Sequence, residues 1–307
     1  MAEEDKRESD SSKSLAVAEH RLSELRALVS LVDEPDEAIF LLVRGKIIAY
    51  GTEAVPELEA VLDRHFSDAV QQRVVDIIQE IQYDNLYEEL RIWVAEGARD
   101  LLEGFLLISR FQYPNLDDVE VRARIDQIAR DVWLEINEDL TALEKVKVIN
   151  HVLFDILEFA PNRAELHAPQ NFFVNTLLET KKGSPVSMGI LYILIAQRLD
   201  IPIFGVNLPQ HFILAYAQGN AVVPGELPTA EEVLFYLNPF NRGAVFTRNE
   251  IELFLKQIKL SPDPAHYTPC PNQVIIRRLL TNLVFTYESL KKKEKAGELG
   301  RLLGLLD

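Results

Sequence analysis

Residues Val186 to Leu199, VSMGILYILIAQRL, are mostly apolar and are followed by Asp200 and Pro202. Proline cannot continue a helix, so the stretch reads as one long apolar helix with a fixed end. Three runs rich in β-branched and aromatic residues come next, IPIFGVN, HFILAYA and VLFYLNPF, separated by proline, glycine and asparagine turns. That composition is a strand signal. Helical patterns lie on both sides. Before the apolar helix stand LEKVKVINHVLFDILEFA, ended by Pro161, and the short NFFVNTLLET, leading into a glycine turn. After the strands stand RNEIELFLKQI, where Thr247 or Arg248 precedes a first turn containing Glu250, then TPCPNQVIIRRLLTNLVFTYESL and AGELGRLLGLL. An apolar helix followed by antiparallel-type strands and flanked by helices is an α+β layout.

The first half of the chain is of another kind. Residues 1–14 carry charge and serine without apolar periodicity and read as a disordered tail. From 15 to 137 apolar residues recur at three- and four-residue spacing, as in LAVAEHRLSELRALVSLV and DAVQQRVVDIIQEIQ, so this is a helical domain. The endings IIAYGTE, IQYDN and FQYPN put Tyr50, Tyr83 and Tyr113 each at the close of an apolar helix. Their intervals of 33 and 30 residues suit stacked HEAT-like helix pairs, and an ordinary helical bundle accounts for them as well. Trp93, in register with Leu86 and Leu90, and Trp133 are placed on apolar helix faces as core residues. The expected organisation is a tail over 1–14, a helical domain over 15–137, a mixed domain over 138–260 and closing helices over 261–307.

Composition narrows the function. A chain of 307 residues has room for two domains, and 48% hydrophobic with 26% charged residues is a globular balance. No apolar run approaches the length of a membrane span, and MAEEDKRESDSSKS is too polar for a secretory signal, so a cytoplasmic location is expected. The formal net charge of -16 repels nucleic acid and acidic lipid surfaces. The lysine run Lys291 to Lys293 is read as a solvated face. One cysteine, Cys270, makes neither an internal disulfide nor a thiolate zinc site. His151 and Asp155 stand at helical i,i+4 spacing without a third ligand nearby, so no metal and no cofactor is expected.

Between 181 and 243 the residues with chemistry are Ser184, Pro185, Ser187, His211, Asn238 and Arg242. Ser184 and Pro185 are explained as N-cap and first helical residue, because serine accepts an orphan amide and proline has none to orphan. Ser187 falls in the first turn, where the helix dipole favours an oxyanion. His211 opens a strand after a proline turn, and Asn238 ends another, where an amide can orient a histidine.

The run from Pro169 to Tyr216 resembles the SirB-type branch of the transglutaminase-like superfamily. Asn171, Leu177, Leu178, Gly183, Pro185, Val186, Ser187, Met188, Ile201, Pro202, Gly205, Val206, Leu208, Pro209, His211 and Phe212 carry the likeness, with Pro239, Phe240 and Gly243 further on. The resemblance covers roughly 145 to 256 and implies a papain-like fold, with a small antiparallel sheet and a site built from cysteine, histidine and aspartate. Gly183 then matches the glycine two residues before the cysteine, which puts Pro185 at the cysteine position, His211 at the histidine and Asn238 at the aspartate.

Asparagine serves papain-like enzymes because cysteine is acidic enough to pair with histidine as an ion pair, an option serine lacks. In a serine triad the same exchange lowers the rate about 10⁴-fold. The leading reading is therefore a fold that has lost its thiol chemistry and serves as a binding or scaffold module for a protein or peptide partner. The alternatives are a hydrolase or acyl transferase using Ser187, His211 and Asn238, and an adaptor that works through its helical first half. No oligomeric state follows from the sequence.

Overall fold

The architecture is that of a computed structural model, which describes residues 19–62, 67–218 and 226–307. The tail expected over 1–14 lies outside the described residues. The chain divides into two compact units, Met1–Glu88 and Glu89–Asp307.

In the first unit residues 19–29 are helical, followed by α1 (Glu37–Ile48), α2 (Val55–Leu62) and the start of α3 (Asp68–Ala95). Asp36 opens α1 by accepting the amides of Ala38 and Ile39, which satisfies donors that a helix start leaves bare. Leu25, Phe40, Ile47, Leu58 and Ile77 form its core. One sequence expectation fails here. The segment IQYDN does not close a helix, and α3 continues through Tyr83, Asp84 and Asn85 to Ala95. No glycine or proline interrupts that stretch, and Leu86, Leu90 and Trp93 keep a buried stripe running through it.

The second unit places helices around a small sheet. Its elements are α4 (Leu101–Arg110), α5 (Asp118–Trp133), α6 (Ala142–Asn150), β1 (Ala160–Pro161), α7 (Val174–Thr180), β2 (Lys182–Gly183), α8 (Pro185–Arg198), β3 (Ile203–Val206), β4 (Ile213–Ala217), β5 (Val233–Asn238), β6 (Ala244–Phe246), α9 (Arg248–Gln257), α10 (Asn272–Ser289) and α11 (Lys293–Leu303). The strands β3 to β6 make one antiparallel sheet in sequence order, and β1 pairs with β2 in parallel. α6 runs on into a π-helical turn, His151–Ile156, and the chain leaves it where Glu158 adopts φ 61°, before Pro161.

The apolar stretch behaves as its composition demands. Every residue from Val186 to Ala196 on α8 is buried, because α4, α5, α7, α10, β3 and β4 all pack against it. β4 is buried along its whole length. Ile213 and Ala215 face Ile251 and Leu255 of α9, while Leu214 faces Gly189 of α8, the alternation of a pleated strand covered on both sides. Trp133 corrects the sequence reading, being 65% exposed. The buried stripe of α5 is Val121, Ile125, Ile128, Ala129 and Val132, and one step beyond Val132 turns the side chain about 100° off that stripe. Among the described residues no helix is long and apolar enough to cross a membrane.

Candidate functional site

α8 begins with reciprocal capping. The Ser184 side chain accepts the amide of Ser187, the Ser187 side chain accepts the amide of Ser184, and Pro185 occupies the first helical position. The N-cap roles expected of Ser184 and Pro185 are those the structure gives them. Ser187 is wholly buried. Its hydroxyl donates to the backbone carbonyl of Asn171 at 2.6 Å and accepts from the Ser184 amide at 2.9 Å. The remaining neighbours of this oxygen are the hydroxyl and carbonyl of Ser184, at 3.0 and 3.2 Å. His211 is not among its partners.

His211 lies in the turn before β4 rather than at the start of the strand. Its amide bonds to the Leu208 carbonyl at 3.0 Å, and Gln210 takes φ 63° to make the turn. The next residue fixes its place. A Cβ on Gly189 of α8 would come within 2.5 Å of the Phe212 ring, and one on Gly205 of β3 within 2.8 Å of it, so that ring occupies space that only glycine leaves open. Phe212 thus points at α8, and the pleat sends His211 to the other side. There its ring meets Phe254 of α9 edge-on, with centroids 4.8 Å apart. The residue is exposed overall, yet burial of the ring, and secondarily the charge of Arg278, hold its pKa below the ordinary 6.5.

Asn238 ends β5 and accepts the amide of Phe240 with its side-chain oxygen at 3.0 Å, capping the 3₁₀ turn Pro239–Asn241. The loop that follows is pinned down. Asn150 donates its amide to the Gly243 carbonyl at 3.1 Å and accepts the buried Tyr192 hydroxyl at 3.1 Å. Arg242 pairs with Asp155, which also bonds His151 at 3.0 Å. The side-chain hydrogen bond from His151, then the charge of Arg242, lower the Asp155 pKa. Among the described residues no three His, Cys, Asp or Glu side chains gather as a metal site.

With this geometry in view, comparison with known proteins is decisive at the level of family. The sequence profile of the Transglutaminase-like superfamily matches residues 119–281. The chain belongs to that superfamily. Within it the relatives include SirB1 and proteins designated UPF0162. A UPF0162 protein of Xylella fastidiosa is 28% identical over 214 residues, covering 66% of this chain and 70% of its own. Protein SirB1 of Salmonella typhimurium is 25% identical over 190 residues, 60% of this chain and 65% of its own. F-box only protein 21 of Homo sapiens is 31% identical over 157 residues, half of this chain but 23% of that longer one. No solved structure matches the chain.

Two further residues of this transglutaminase-like domain bear on the site, of which the sequence points to Cys270 alone. Arg278 on α10 reaches across to the Asn207 side chain at 3.2 Å. Its Nε is buried without a hydrogen-bond partner among the described residues. Burial lowers its pKa, and its charge bears on His211. Cys270 bonds through its amide to the Gly205 carbonyl at 2.8 Å. The thiol therefore sits at the end of β3, and burial pushes its pKa up to about 12. An arginine within a helix gives no sequence signal that a loop 71 residues earlier will receive it.

Proposed function

We propose that this chain is a non-catalytic binding or scaffold member of the transglutaminase-like superfamily, with cysteine chemistry lost at Pro185. The observation that carries the reading is the commitment of Ser187. A nucleophile needs its proton removed by a base within reach, whereas this hydroxyl gives its proton to the Asn171 carbonyl inside the core. Asn238 caps a turn and His211 rests on Phe254. Cys270 offers no substitute, because a neutral thiol with a pKa of about 12 is a poor nucleophile.

F-box only protein 21 supports the same reading. It matches this chain over less than a quarter of its own length, so there the matched region is one part of a larger protein, as a binding module commonly is. A protein or peptide partner at the His211 side of the sheet is the consequence. The net charge of -16 argues against nucleic acid. The unpaired thiol of Cys270 suits a reducing, cytoplasmic setting.

Two measurements test this. A fluorophosphonate probe is expected to label the wild-type chain no more than Ser187→Ala, and labelling that depends on Ser187 would establish the hydrolase instead. Affinity capture from a cytoplasmic lysate is expected to recover a partner with the wild type and less of it with His211→Ala. Equal recovery would move the binding surface elsewhere.

A further inference from the structure

A cavity of about 310 Å³ opens among Tyr113, Phe173, Tyr287, Gln112, Lys292 and Lys295. It is apart from His211, and neither the superfamily nor any relative's name assigns it a role. Among its lining residues none is acidic, in a chain whose acidic residues outnumber Lys and Arg by 48 to 32.

Of the two basic groups there Lys295 is held by partners, while Lys292 is exposed at the rim. The Lys295 ammonium donates to the Gln112 side-chain oxygen at 2.8 Å and lies 5.9 and 5.7 Å from the ring centres of Phe111 and Tyr287. The same Gln112 oxygen accepts the Tyr287 hydroxyl at 3.0 Å. With its oxygen twice engaged, Gln112 keeps its amide protons for another acceptor. The like charge of Lys292 acts on Lys295, whose pKa falls through burial and then through that repulsion, with Glu298 pulling less strongly the other way. Lys292 and Lys295 line one cavity that has no acidic lining residue, and like charges so placed favour an anion beside them.

We propose that this cavity binds an organic phosphate. Two ammoniums match the charge of a phosphate monoester, and lysine suits phosphate as a point charge. Tyr113, only partly buried at this cavity, offers aromatic surface to a body attached to the phosphate, and the volume is that of a small ligand.

Calorimetric titration of the full chain near neutral pH and at low salt, with phenyl phosphate, inorganic phosphate and benzoate in turn, decides the matter. Phenyl phosphate is expected to bind the wild type about tenfold more tightly than benzoate, and more tightly than inorganic phosphate. Lys292→Met, at an exposed position, and the Lys292→Met/Lys295→Met pair are each expected to weaken phenyl phosphate about tenfold or more. The single variant keeps the test valid should the pair fail to fold. No binding to the wild type, unchanged binding to the variants, or benzoate binding as well as phenyl phosphate overturns the proposal.

Discussion

The hydroxyl of Ser187 stands 2.6 Å from the carbonyl oxygen of Asn171, sixteen residues earlier in the chain. That bond ties the first turn of α8 to the segment before α7, and it is made in the core where no water can replace it. Ser187→Ala is therefore expected to lower stability by about 1–3 kcal/mol, since Ser184 loses a capping acceptor. Urea unfolding measures this. A variant as stable as the wild type would mean that the serine is free to do something else.

Cys270 gives a second test, because the chain has one cysteine. With a thiol pKa of about 12, about one group in ten thousand is thiolate at a pH near 8. A chromogenic disulfide reagent is expected to react only slowly with the folded chain, where Cys270 is partly buried, and to titrate one thiol promptly after denaturation. Prompt reaction of the folded protein would contradict the burial described here.

His211 should show its surroundings in its titration. Its folded pKa lies below the unfolded value of 6.5, so between the two the unfolded chain binds more protons. Stability then rises with pH through that window and is lost as pH falls through 6.5, down to the folded value. NMR titration is expected to find the depressed midpoint. Arg278→Met is expected to bring it part of the way back, because burial against Phe254 remains as the larger cause. An unshifted midpoint in the wild type would mean the ring is solvated.

Gly243 should not tolerate a side chain. It has φ 68°, and an added Cβ would lie 1.9 Å from the Asn150 side-chain oxygen. Gly243→Ala is expected to cost about 1–2 kcal/mol for the left-handed backbone alone, with a further loss as Asn150 moves off the Tyr192 hydroxyl. Thermal unfolding reads the sum, and a fall in midpoint comparable to that of Tyr192→Phe combined with Asn150→Ala is anticipated.

The chain announced some of this openly and kept the rest. α8 was readable because an apolar run needs no partner to declare itself and because Ser184, Pro185 and Pro202 mark its ends through local chemistry. The strands were readable for the same reason, although β6 was missed, its three residues being too few to make a pattern. Tyr83 misled because a polar tetrad resembles a turn until the buried stripe on either side is known. Trp133 misled because a large apolar side chain promises burial that its helix face does not supply. The partners of Gly243 and Asn207 were out of reach, lying 93 and 71 residues away and on elements that only the fold brings close.

The nest that holds Phe212 has a consequence for how variation in this protein will look. Its walls at positions 189 and 205 are single hydrogen atoms, so the imidazole next door owes its location to residues that carry no reactivity. Under the binding role proposed for His211, screens for lost ligand capture should accordingly return bulky replacements at those two glycines, and naive mapping of such hits would point away from the imidazole they displace.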